Sequence, residues 1–88
     1  MNKQEFINFV ETKSVHDLKK DTYGNYKGIS KKGSAIRYKI QKSSVRFERQ
    51  YSFEWEGKVQ NSWKKVWSEY YTNLEINPET GGLRKIKR

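Results

Sequence analysis

The chain of 88 residues has no cysteine, so neither a disulfide framework nor a thiolate metal site is available to staple it. Its one histidine, His16, cannot build a multi-histidine metal site. Aliphatic side chains are scarce: hydrophobic residues make up 33% of the chain, and the mean hydropathy is −1.13. No apolar run approaches the roughly 18 residues of a membrane-spanning helix, and "MNKQEFINFV" lacks the apolar stretch of a signal peptide. There is no internal repeat, no low-complexity segment and, with Pro78 as the single proline, no proline-rich linker. These absences lead to the expectation of one small domain over residues 1–88, cytoplasmic and without a membrane partner. A chain of this length buries only about 60–65% of the surface its unfolded form exposes, which leaves a small core.

What the chain does have is aromatic rings and positive charge. Thirteen Phe, Trp and Tyr residues can bury about 150–250 Å² each, enough to build a core where aliphatics are few. The formal net charge is +9 and the isoelectric point 9.8, with +6 in residues 1–44 and +3 in residues 45–88. Charge of this size bears on partners and association rates, not on fold.

Periodicity predicts the elements. Asn2 followed by Glu5 has the spacing of a capping box, and Phe6, Ile7, Phe9 and Val10 supply an apolar stripe, so one helix is expected between Lys3 and Lys20. That helix either runs on through "SVHDLKK" or restarts at Ser14, with Val15 and Leu18 inward, and "TYGNYKG" ends it. From Ala35 the period becomes two. Ile36, Tyr38 and Ile40 share one face and Arg37 and Lys39 the other. Val45, Phe47, Arg49, Tyr51, Phe53 and Trp55 then alternate with Arg46, Glu48, Gln50, Ser52, Glu54 and Glu56. This is one long strand, or two meeting at a bend near Arg49, the lone charge on the apolar side. Residues 62–73 fit helix or strand, with strand ahead because the stretch is rich in strand-favouring aromatics. "LEINPETGGLRKI" reads as a hairpin. The expected fold class is α+β: an N-terminal helix packed on an antiparallel meander of about four to five strands. Tyr51, Trp55, Trp63 and Trp67 are assigned to the core.

The most unusual stretch runs from Thr22 to Phe47, 26 residues without an acid. If Ile40 pairs with Val45 across "QKSS", then Tyr38 faces Phe47, Lys39 faces Arg46 and Arg37 faces Glu48. Lys39, Arg46 and Lys42 then form a positive tip, and the loop "GISKKGS" adds Lys31 and Lys32. A charge run ordinarily just solvates a surface. Here it coincides with a high isoelectric point and a second basic cluster, "LRKIKR", which together make the footprint of a polyanion-binding domain. The candidate nucleic-acid-binding residues are Lys27, Lys31, Lys32, Arg37, Lys39, Lys42 and Arg46. Tyr23 and Tyr26, beside glycines, are the candidate base-stacking rings.

Other chemistry finds little support. "GISKKGSA" has the two glycines of a phosphate loop but Ser34 and Ala35 where lysine and a hydroxyl residue are needed. Glu48, Glu54 and Glu56 share a strand face, more simply a solvated one than a metal site. No catalytic residue, metal ligand or cofactor is assigned. The expected function is nonspecific binding of DNA or RNA through phosphate contacts, which position a protein without reading sequence. The alternatives are a protein-interaction or inhibitor module using an aromatic patch or sheet edge, and, third, a small metal-independent ribonuclease.

Overall fold

The computed structural model describes residues 1–12 and 18–86. Helix α1 spans Lys3–Thr12. Its start is the expected capping box: Asn2 Oδ1 accepts from the Glu5 amide at 2.8 Å, and Glu5 Oε1 accepts from the Asn2 amide at 3.2 Å. Phe6, Phe9 and Val10 form its buried stripe. The continuation expected at Ser14 and Val15, and the single histidine, His16, lie outside the described residues.

Five strands follow: β1 (Lys19–Lys20), β2 (Tyr26–Ile29), β3 (Ala35–Ile40), β4 (Ser44–Trp55) and β5 (Lys58–Tyr70). They make one antiparallel meander in the order β1-β2-β3-β4-β5. A short 3-10 helix, Tyr71–Asn73, leads to β6 (Leu74–Ile76) and β7 (Leu83–Lys85), a separate two-stranded hairpin. The α+β expectation therefore holds, as do the strand assignment for most of 62–73 and the hairpin at "LEINPETGGLRKI". The β3–β4 register is the one inferred from alternation: Ile40 faces Val45, Tyr38 faces Phe47 and Arg37 faces Glu48.

The bend is displaced. β4 runs unbroken, and the irregularity lies where Phe47 faces Trp67 while Glu48 faces Lys65, leaving Val66 as an extra residue in β5. Such a bulge increases the local twist of the pair.

The core sits between α1, one face of the sheet and the Tyr71–Leu74 turn. Fully buried Phe6 meets Tyr38 edge-on at 5.5 Å and Tyr71 at 5.6 Å. Tyr38 in turn packs on Phe47 at 4.9 Å and on Trp67 at 6.1 Å. Burial of an aromatic of this size contributes several kcal/mol; truncating one typically costs about 3–5 kcal/mol.

β3 ends opposite Arg49, and a ten-residue helix is only about 15 Å long. Beyond Arg49 neither a third strand nor α1 covers the β4–β5 pair, and residues 51–61 are all exposed. The pair therefore projects as a two-stranded ribbon. The radius of gyration is 14.4 Å, against about 12 Å for a compact domain of this length. At the ribbon's tip Glu56 and Gly57 both take positive φ, 50° and 75°, the pattern of a type I′ hairpin turn. Among the described residues no helix is long and apolar enough to cross a membrane.

Candidate nucleic-acid interface

Residues directly opposite on neighbouring strands share a sheet face. Following the pairs outward from β1 gives Lys19 facing Lys27, Lys27 facing Arg37, Arg37 facing Glu48 and Glu48 facing Lys65. This row crosses all five strands, about 19 Å at the usual strand spacing. A second row sets Lys39 opposite Arg46. Both lie on the face away from α1, because the residues that alternate with them, Tyr26, Tyr38 and Val45, point into the core. Antiparallel sheets tolerate one wet face, and here that face is cationic.

Glu48 is the exception and it organises the centre. Its carboxylate is buried, with 5% of the side chain exposed. Arg37 Nε donates to Oε1 at 2.6 Å, and Arg46 Nε lies 3.0 Å from Oε2. The Arg37 guanidinium also lies over the Trp63 ring, 4.2 Å from its centroid, a cation–π contact. Trp63 is thus a half-buried platform on the outer face, not a core residue. Lys27 reaches Asp21 at 3.5 Å. Among the described residues Lys19, Lys39 and Lys65 make no ion pair.

The nine candidate residues therefore separate. Lys27, Arg37, Lys39 and Arg46 share the outer face. Lys31 and Lys32 stand on the β2–β3 turn, and Lys42 on the β3–β4 turn, at opposite ends of β3. The unneutralised tip expected of Lys39, Arg46 and Lys42 does not form, because Glu48, two residues along the same strand face, captures Arg46. Tyr23 is 87% exposed, as a stacking ring requires. Tyr26 is 2% exposed and cannot stack on a base. Its ring belongs to the core and its hydroxyl donates to Glu11 at 2.9 Å. Burial, then that carboxylate, push its phenol above the ordinary value.

The second basic cluster is also neutralised where it is described. Arg84 pairs with Glu75 at 2.7 Å and Lys85 with Glu69 at 3.0 Å. Hydrogen bonds from Asn73, Lys85 and the Tyr70 amide hold the Glu69 carboxyl down at about 2. Lys87 and Arg88 lie outside the described residues.

No family model matches the chain, and no curated protein or solved structure matches it.

Sequence reasoning missed Lys19, Lys65 and Trp63 as members of this face. Lys19 belongs to a two-residue strand too short to show a period. Lys65 adjoins the bulge, which shifts the alternation of β5 by one. Among the described residues no three His, Cys, Asp or Glu side chains come together. Glu48 is instead held between two arginines, and "GISKKGSA" forms the end of β2, a turn and the start of β3.

Proposed function

We propose that the protein binds nucleic acid, without sequence preference, through the outer face of its five-stranded sheet. The observation that carries this reading is the register row of Lys19, Lys27, Arg37 and Lys65, flanked by Lys39 and Arg46, against two carboxylates, Glu48 between the arginines and Asp21 beside Lys27. Arg37 and Arg46 are fixed by Glu48 and serve as the rigid centre. The lysines around them supply mobile ammonium groups for phosphates. Each phosphate neutralised by these groups releases counterions, so binding is salt-sensitive.

With three lysines outside any ion pair among the described residues, the logarithm of affinity for duplex falls with the logarithm of salt at a slope of about −3. The dissociation constant at physiological salt is then about 10⁻⁴–10⁻⁶ M. The test is fluorescence anisotropy with labelled single- and double-stranded oligonucleotides across a salt series, on wild type and on Lys39→Glu/Lys65→Glu. The reading expects binding at low salt, with duplex binding abolished in the charge-reversed variant. A flat wild-type titration on both oligonucleotides at low salt refutes it.

A further inference from the structure

The projecting ribbon carries a second surface that the outer face does not include. Tyr51, Phe53 and Trp55 stand on one face of β4, and their exposures of 46%, 42% and 65% leave much of each ring open. Tyr51 and Phe53 contact each other at 5.9 Å, tilted by 33°. The same face carries cations: Lys58 faces Trp55, and Lys64 faces Arg49 at the ribbon's base. Among the described residues none of Arg49, Lys58 and Lys64 is in an ion pair. At that base an open cleft is lined by Lys31, Lys32, Ile36, Phe47, Arg49 and Val66. Positive groups therefore line a continuous path from the β2–β3 turn to the rings.

We propose that this ribbon face binds single-stranded nucleic acid, its rings stacking on unpaired bases while Arg49, Lys64, Lys58 and the two cleft lysines hold the phosphates. The inference rests on the nucleic-acid reading above and goes beyond it by adding a second surface, on the opposite side of the sheet, and the strand state that it takes. Alternate residues on a strand are about 6.8 Å apart, twice the roughly 3.4 Å rise of one strand in a duplex. A strand that meets successive rings must be unstacked, and a duplex hides its base faces altogether. Aromatic rings beside a positive groove are the usual means of gripping such a strand.

A second copy of the chain fits this face poorly. Three half-open rings offer on the order of 300 Å², well short of the about 800 Å² per partner of a stable interface. Face-to-face association also sets Arg49, Lys58 and Lys64 against their own counterparts.

The experiment compares a labelled oligothymidylate with a hairpin duplex of equal length, on wild type, Phe53→Ala/Trp55→Ala, Trp55→Phe, Trp55→Leu and Lys39→Glu/Lys65→Glu. Circular dichroism melts check folding, and the substituted ribbon residues are all exposed. The expected result is a loss on the order of tenfold per ring for oligothymidylate in the alanine variant, with duplex binding unchanged. Trp55→Phe retains most of the affinity and Trp55→Leu does not, which separates stacking from simple apolar contact. Unchanged oligothymidylate binding in the alanine variant overturns the proposal while the outer-face reading stands, provided that Lys39→Glu/Lys65→Glu weakens both ligands. Wild type that binds neither ligand overturns both readings. Self-association in sedimentation that Phe53→Ala/Trp55→Ala abolishes, without oligothymidylate binding, makes the face a protein-docking surface and overturns the proposal.

Discussion

Replacing Glu48 with glutamine should move stability and binding in opposite directions. The carboxylate is buried between Arg37 at 2.6 Å and Arg46 at 3.0 Å, and the amide removes its charge while nearly preserving its shape. Breaking a fully buried pair costs about 3–5 kcal/mol. Here the arginine side chains are 20% and 44% exposed, so both partly rehydrate, and Arg37 keeps its contact with Trp63. The net loss is therefore about 2 kcal/mol, a large part of the roughly 4–13 kcal/mol available to a chain of this length. At about 4–8 °C per kcal/mol, the melting temperature falls by about 8–16 °C. The same change frees two guanidinium groups on the cationic face, so affinity for oligonucleotides rises and its salt dependence steepens. Thermal melts and anisotropy on one preparation measure both. A variant that melts with wild type refutes the structural role given to Glu48, and one that binds more weakly while folded refutes the electrostatic role.

Other consequences are as direct. Glu56 takes positive φ in the tip turn, a conformation that asparagine and glycine adopt more easily, so Glu56→Gly or Glu56→Asn stabilises the ribbon locally by about 1 kcal/mol. Slower amide exchange in residues 52–60 reports this, and unchanged exchange contradicts it. Glu69, with its pKa lowered from 4.5 to about 2, stabilises the fold above pH 4.5, and that contribution is lost as the pH falls through about 2. In Glu69→Ala, melts between those pH values show a weaker pH dependence than wild type; parallel curves refute the assignment. Tyr26→Phe lowers stability by about 1 kcal/mol through loss of the bond to Glu11 and leaves oligonucleotide affinity unchanged. A selective loss of binding in that variant contradicts the burial of its ring.

Much of this fold is legible because a strand writes its two faces into alternate residues. Ile36, Tyr38 and Ile40 against Val45, Phe47 and Arg49 keep the apolar faces together when the short loop "QKSS" sets Ile40 opposite Val45, and that register places Arg37 opposite Glu48. Asn2 and Glu5 announce the helix start in the same local way. Alternation says which side a residue takes but not what covers that side. Tyr51 and Trp55 have the pattern of core residues and are exposed because β3 stops opposite Arg49 and nothing else reaches them. The pairing of Arg84 and Lys85 with Glu75 and Glu69 depends on a chain reversal and on packing between separate sheets, which charge counting along the chain does not register. The extra residue at Val66 is invisible for a related reason: a bulge breaks the period by one without any marked residue type.

On the proposed function, polyanions meet the outer face of the sheet. The most direct measurement is an amide and side-chain chemical-shift map during titration with a short duplex at low salt. The predicted result is a set of shifts concentrated at Lys19, Lys27, Arg37, Lys39, Arg46 and Lys65, fading as salt is added. Shifts confined to α1 and the β6–β7 hairpin, or no shifts at all, contradict it.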